Sequence, residues 1–375
     1  MDFGWTDTQR ALRERTRDRV RTSLAGEPGP FDRARWRLLG ELGALGLPVA
    51  REHGGQGLGA LDTAAVYEVL GEECADTGLV FAAAAHLFAC VVPIAEFGDD
   101  AVRKQLLPGL CAGELIAANA MTETEAGSDV SAIEAVATEV PGGFVLNGHK
   151  SFASNGPVAD VSVTYAVTDP AAGPFGLTAF AVDTASEGVR LGEPFDKLGM
   201  RGCVAGTVTF ADCFVPMERV LGEPGQGAAI FQHSMGWERA CLFALYLGVQ
   251  DRLLKQCVTH ARTRRQFGRP IGEFQAVSHR IAEMKLRLEA ARLLVYRTCW
   301  AMDEDEPAGL HAALSKLAAS EAALASATDA IRLLGGQGYL TGSGAEAAVR
   351  DALGGILFSG TTDVQRMLIA TELGL

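Results

Sequence analysis

The chain has 375 residues, with 33 Lys or Arg against 46 Asp or Glu, a formal net charge of −13. That length accommodates two or three packed layers or domains around a large core. The acidic balance argues against nucleic acid or an anionic membrane as partner, since both reward a basic face.

From the N-terminus, MDFGWTDTQRALRERTRDRVR is charged from its second residue and has no apolar core, so it is not a signal peptide pattern. Thr6 predicts the cap of a helix beginning at Asp7, and Gly29-Pro30 breaks the chain. The run HGGQGLG at 53–59 lies between helical patterns, and is read as a turn because a dinucleotide fingerprint would need a preceding strand. Residues 79–95 are apolar and alanine-rich but contain His86 and Pro93, which favours a buried core helix over a membrane span. Eight cysteines with no C-x-x-C pair argue against a zinc site or disulfide framework, and no metal is expected. Free thiols fit a soluble protein in a reducing cytoplasm.

Between about 118 and 225 the pattern changes to short runs rich in Val, Thr, Phe and Tyr. AVATEV, FVLNGHKSFAS, DVSVTYAV, LTAFAVD and GTVTFADCFV are separated by turn signals such as Pro141-Gly142-Gly143. This predicts a small antiparallel β-barrel or sandwich. Helical patterns return at 226–262, 271–302, 308–334 and from about 361, with glycine-rich turns at 335–344 and 354–360. The expected class is α+β: an N-terminal helical domain (1–117), a middle β domain (118–225) and a C-terminal four-helix bundle (226–375).

One stretch organises the last domain. Residues 240–249 carry no charge, while Glu238 and Arg239 precede them and Asp251 and Arg252 follow, as in a helix buried on all sides. Its chemistry lies at its ends: Glu238-Arg239 at one, Arg262, Arg264 and Arg265 at the other. At 1.5 Å per residue these ends stand roughly 35 Å apart. One compact site cannot use both unless a second subunit supplies one of them.

Five motifs in order, AMTETEAGSDVSA (120–132), LNGHKSFASN (146–155), RTRRQFGRPIGEFQ (262–275), LLGGQGY (333–339) and GTTDVQR (360–366), together resemble the acyl-CoA dehydrogenase family over nearly the whole chain. The resemblance implies an FAD enzyme that removes a hydride from Cβ and a proton from Cα of an acyl thioester, working as a homodimer or a homotetramer built as a dimer of dimers. It puts Met121 and Thr122 along the flavin, and Ser128 near both flavin and substrate. Phe152 stands where the family usually has tryptophan against the ring system, and Ser154 where it usually has threonine. Arg264, Phe267 and Gln275 match positions that reach the FAD of the neighbouring subunit, the arginine at its pyrophosphate, which suits a guanidinium. Gly335 and Gly336, with Thr361, complete that shared site; Arg332 replaces a usual glutamine there and Asp363 a usual Glu or Gln.

The base departs from the common pattern. Most of the family carries a carboxylate in Tyr-Glu-Gly-Thr, where this chain has Phe358-Ser359-Gly360-Thr361. A minority branch, including isovaleryl-CoA dehydrogenase, carries its base on the central helix before an arginine, as Glu238-Arg239 does here. The resemblance therefore implies Glu238 as base, with Arg239, Ser359 and Gly360 beside the substrate and the backbone N–H at Ser359 meeting the thioester carbonyl. An acyl-CoA and an acyl or prolyl group on a carrier protein, as in antibiotic-type pathways, both remain open as substrate. So does the electron acceptor, an electron-transfer flavoprotein or oxygen. A flavin-binding module that has lost dehydrogenation is the alternative from another class.

Overall fold

The computed structural model describes residues 4–375; Met1, Asp2 and Phe3, at the head of the N-terminal stretch read above, lie outside it. Helix α1 (Asp7–Ser23) opens on a capping box in which the Thr6 hydroxyl accepts from the Gln9 N–H and the Gln9 side chain accepts from the Thr6 N–H. Next come α2 (Arg33–Glu41), α3 (Ala60–Glu73) and α4 (Thr77–His86). A π-helical turn at Leu87–Val91 then leads into α5 (Val92–Phe97), and α6 (Asp100–Ala112) closes the domain. The apolar run 79–95 is buried from Leu79 to Ile94, so its hydrophobicity serves the core. HGGQGLG holds a left-handed Gly54 and leads into α3 as a turn.

The middle of the chain forms β1 (Ala117–Ala120), β2 (Val136–Val140), β3 (Gly143–Ser154), β4 (Val161–Val167), β5 (Leu177–Asp183), β6 (Val189–Leu191), β7 (Ala205–Pro216) and β8 (Val220–Leu221). The order is β6-β7-β3-β1-β4-β5-β8, and β2 bridges β3 and β4, so β3, β1, β4 and β2 close a small ring. The pairing is antiparallel as expected except at two places: β1 runs parallel to β4, and so does the single β2–β4 contact. Hairpin spacing dictates antiparallel neighbours, but β1 and β4 are separated by a forty-residue crossover (121–160) that imposes no such direction.

The bundle consists of α7 (Gly227–Trp237), a second π-helical turn (Glu238–Leu242), α8 (Ala244–Thr263), α9 (Gln275–Asp303) and α10 (Gly309–Leu334), then α11 (Gly336–Tyr339), α12 (Ala345–Gly355) and α13 (Thr362–Glu372). A two-stranded hairpin, β9 (Arg265–Gln266) with β10 (Arg269–Pro270), joins α8 to α9. Residues 240–250 are buried without exception, as the uncharged run requires. The expected uninterrupted helix is, however, widened by one π turn at Glu238, a device that re-aims side chains. The turns read at 335–344 and 354–360 flank α12, and α11 lies inside the first of them.

The N-terminal domain seals α8 through α3. A Cβ on Gly248 would lie 2.0 Å from the Glu68 carbonyl oxygen, and one on Gly71 would lie 1.9 Å from that of Leu245, so the two backbones touch where neither residue has a side chain. Polar ties reinforce the crossing: buried Glu68 of α3 accepts from Arg292 Nη2 at 3.0 Å and from the Tyr296 hydroxyl, both on α9. Asp303, the last residue of α9, accepts the N–H groups of Ala60 and Leu61 at 2.6 and 3.0 Å and so caps α3.

Candidate active site

The π turn places Glu238 on the inner side of the bundle, only 5% exposed, opposite the loop between α12 and α13. There the Ser359 hydroxyl donates to Glu238 Oε2 at 2.7 Å. Burial pushes the Glu238 carboxyl up to about 7; the Ser359 hydrogen bond and the Arg239 charge pull the other way without cancelling it. A carboxyl poised near neutrality is the form of group that can take and return a proton.

The loop carrying Ser359 is held from several sides. Ser359 and Gly360 both lie at positive φ, 55° and 80°. The Ser359 carbonyl accepts from Arg239 Nε at 3.2 Å and from Gln365 Nε2 at 3.3 Å, and Gln365 Nε2 also donates to the Gly360 carbonyl at 3.1 Å. Phe358 anchors the loop among aromatic rings, its centroid 4.3 Å from Phe81 and 5.7 Å from Phe243. Neither the Ser359 nor the Gly360 N–H meets an acceptor among the described residues, which leaves two backbone donors unused in this loop. Thus Glu238, Arg239, Ser359 and Gly360 come together. The motif reading named these four but found only the backbone of Ser359; its hydroxyl contact with Glu238 joins residues 121 positions apart and has no local signal. Gln365 and Lys316 were also missed. Lys316 is buried on α10 with its ammonium unpartnered 5.3 Å from the Phe243 ring, and burial together with the nearby Arg239 charge brings it down to about 8.

A second group lies on the β domain. The Ser151 N–H donates to the Thr122 carbonyl at 2.8 Å, which joins Met121–Ser128 to the end of β3. Buried Lys150 donates to Glu123 Oε1 at 2.7 Å and to the Met121 carbonyl at 3.2 Å, while Glu123 accepts the Glu134 and Ala135 N–H groups at 2.6 and 3.0 Å. The strand register slips between Lys150 and Ala153, and Phe152, at φ 54°, is turned outward and left 63% exposed between two buried neighbours. Ser154 pairs with Asn119 of β1, whose buried Oδ1 has no partner. An exposed aromatic face, hydroxyls at Thr122, Ser128 and Ser154, and an orphaned amide oxygen fit a flat heteroaromatic ligand with a polar edge.

The third group stands at the far end of α8. Arg264 caps that helix and is exposed; Phe267, at φ 51° in the hairpin turn, is 92% exposed and packs edge-on against Phe274, and Gln275 opens α9. Gly335 (φ 62°) and Gly336 border open space. Arg332 is turned toward Asp329 at 3.4 Å, and Asp363 pairs with Arg366 at 2.8 Å. Thr361 uses its hydroxyl as the cap of α13, accepting the Val364 N–H. Thr361 and Asp363 follow Gly360 directly and so stand at the Glu238 end, whereas Arg264, Phe267 and Gln275 lie at the opposite end of the central helix within one chain, with Gly335 and Gly336 beside them.

Comparison with known proteins covers the chain end to end. The profiles of the acyl-CoA dehydrogenase N-terminal, middle and C-terminal domains match residues 6–114, 118–213 and 225–374. An L-prolyl-[peptidyl-carrier protein] dehydrogenase of Pseudomonas fluorescens is 53% identical over 380 residues, covering 100% of both chains. A mitochondrial isovaleryl-CoA dehydrogenase of Oryza sativa subsp. japonica is 35% identical, over 98% of this chain and 91% of its own. The solved structure described as PigA with FAD and proline superposes with a TM-score of 0.97 at 39% identity, covering 100% of both chains.

Proposed function

This chain belongs to the acyl-CoA dehydrogenase family, and from that membership we propose that it is an FAD-dependent dehydrogenase of an L-prolyl group held as a thioester on a peptidyl-carrier protein. Of the two thioesters the sequence left open, the carrier-bound one is favoured by end-to-end likeness to a prolyl-carrier dehydrogenase at 53% identity. The observation that carries the chemistry is the buried Glu238 carboxyl, poised near neutrality and bonded at 2.7 Å to a loop whose Ser359 and Gly360 N–H groups meet no acceptor among the described residues.

FAD, when bound, supplies the acceptor for the hydride leaving Cβ. The protein's own residues do the rest. The Ser359 and Gly360 N–H groups hold the thioester carbonyl and stabilise the negative charge that develops on its oxygen. Glu238 takes the α-proton, and the pair of electrons left behind forms the Cα–Cβ double bond as the hydride departs. Burial to 5% exposure keeps bulk water from the carboxyl. Met121, Thr122, Ser128, Phe152 and Ser154 would line the flavin. Arg264, Phe267 and Gln275, with Arg332, Gly335 and Gly336, would serve its pyrophosphate and adenosine from a second copy, and Thr361 and Asp363, next to Gly360, would complete the site from the Glu238 end. The reading includes a homodimer as the smallest active unit. It is supported by the roughly 35 Å between Glu238 and Arg264 and by exposed Phe267, Tyr339, Leu340 and Met367. A cytoplasmic location is part of the same reading, supported by eight cysteines that are all free.

The test is anaerobic mixing of the FAD-loaded protein with proline loaded on a carrier protein. Bleaching of the oxidised flavin absorbance by prolyl-carrier, and none by free proline, is expected. Bleaching by isovaleryl-CoA but not by prolyl-carrier would return the substrate to CoA. No bleaching by any thioester would leave a flavin-binding module.

A further inference from the structure

Resting on that function, we propose that the Ser359 side chain is a positioning residue for the base: its hydroxyl orients the Glu238 carboxylate and stabilises its ionised form. The backbone at Ser359 serves the substrate and would do so with any side chain. The hydroxyl is a separate feature, and three observations give it a task.

The first is geometry. Ser359 Oγ lies 2.7 Å from Glu238 Oε2, and it is the hydrogen-bond donor that reaches this carboxylate among the described residues. Arg239, although adjacent in sequence, spends its Nε on the Ser359 carbonyl, so it steers the loop toward Glu238 and acts on the carboxylate by charge alone. The second is strain: Ser359 sits at φ 55°, a conformation L-residues rarely adopt, and the loop is fixed there by Arg239, Gln365 and the Phe358 rings. The third is chemical fit to a group that changes charge in each turnover. A serine hydroxyl can donate to a carboxylate before proton transfer and accept from a carboxylic acid afterwards. A cation in direct contact could serve only the first state.

The other titratable groups that act on or feel Glu238 leave this task to Ser359. Cys90, on the facing π turn, and Tyr165, on β4, are buried acids pushed upward, so both stay neutral while Glu238 titrates. Lys316, brought down to about 8 by burial and the Arg239 charge, makes no hydrogen bond to the carboxylate, its ammonium being without a partner among the described residues. Burial drives the carboxyl up to about 7, and of the two opposing influences the Ser359 hydrogen bond outweighs the Arg239 charge.

The experiment uses the FAD-loaded enzyme and two variants, Ser359→Ala and Ser359→Gly. Glycine relieves the positive φ while alanine keeps it, and both delete the hydroxyl and keep the N–H. Two readouts are taken: the pH profile of flavin reduction by prolyl-carrier, and direct titration of the Glu238 carboxyl by infrared difference spectroscopy, with Glu238→Gln as the blank. In both variants the midpoint is expected to move upward by about one pH unit, as for a lost hydrogen bond to a charged group. Near pH 6 reduction then slows about tenfold relative to the parent, and the deficit shrinks above the new midpoint. Because the infrared titration needs no substrate, it judges Ser359 even if the assigned thioester is wrong. An unchanged midpoint in both variants overturns the proposal; so does a shift in Ser359→Ala that Ser359→Gly lacks, which would trace the effect to backbone strain.

Discussion

Glu238→Gln separates what the base costs the fold from what it gives the reaction. Burial lifts the Glu238 carboxyl from 4.5 to about 7, so between these values the folded protein retains a proton that the unfolded chain has released. The folded state binds more protons in that window, and stability must therefore fall as pH rises through it. Above pH 7 the loss is complete and amounts to about 3 kcal/mol at 1.4 kcal/mol per pH unit. Glutamine cannot ionise, and its amide oxygen can still accept from the Ser359 hydroxyl. The variant should be more stable than the parent at pH 8 by up to about 3 kcal/mol. At an unfolding entropy of about 0.8 kcal/mol/K for a chain of this size, that is a Tm rise of about 4 °C. At pH 4.5 and below the two proteins should melt together. Scanning calorimetry of both FAD-loaded proteins at pH 4.5 and pH 8 measures the difference. A Tm difference of the same size at both pH values would refute the linkage, and with it the buried, proton-retaining carboxyl. The same variant should lose flavin reduction by 10²–10⁴-fold, the usual contribution of a general base, so near-normal reduction would remove Glu238 from the mechanism.

Lys150→Met should strand the Glu123 carboxylate, which is buried and bonded to Lys150 at 2.7 Å, and cost about 3–5 kcal/mol in chemical denaturation. It should also loosen FAD binding, because the Lys150 contact with the Met121 carbonyl ties down the segment assigned to the flavin. Arg264→Ala, at an exposed helix end, should leave the melting temperature of the apoprotein within about 1–2 °C while increasing FAD loss on dialysis; full retention would contradict the pyrophosphate assignment. Gly248→Ala would drive a methyl to 2.0 Å from the Glu68 carbonyl and force α3 off α8; unfolding it should require at least 1–3 kcal/mol less than the parent, and an unchanged denaturation midpoint would show that the helices give way easily.

Some of this protein could be read from local pattern alone. The Thr6 cap, the β-rich middle and the uncharged run 240–249 each follow from preferences that act within a few residues, and the structure places all three as read. Family motifs carried the chemistry further: Ser359 vacating the usual carboxylate position and Glu238-Arg239 supplying another are visible as letters. What letters do not carry is contact between distant segments. The parallel pairing of β1 with β4 depends on a crossover, and the π turn that re-aims Glu238 depends on how α7 and α8 pack between the β domain and α3. A serine has no useful basicity near neutral pH, and the motif assigned a task only to the backbone of Ser359. Only the fold brings its hydroxyl within 2.7 Å of a carboxylate 121 residues earlier, and only burial lifts that carboxylate toward neutrality. Local propensity and motif determined the elements and the candidate base; desolvation and long-range hydrogen bonding, which exist only once those elements pack, decided its proton affinity.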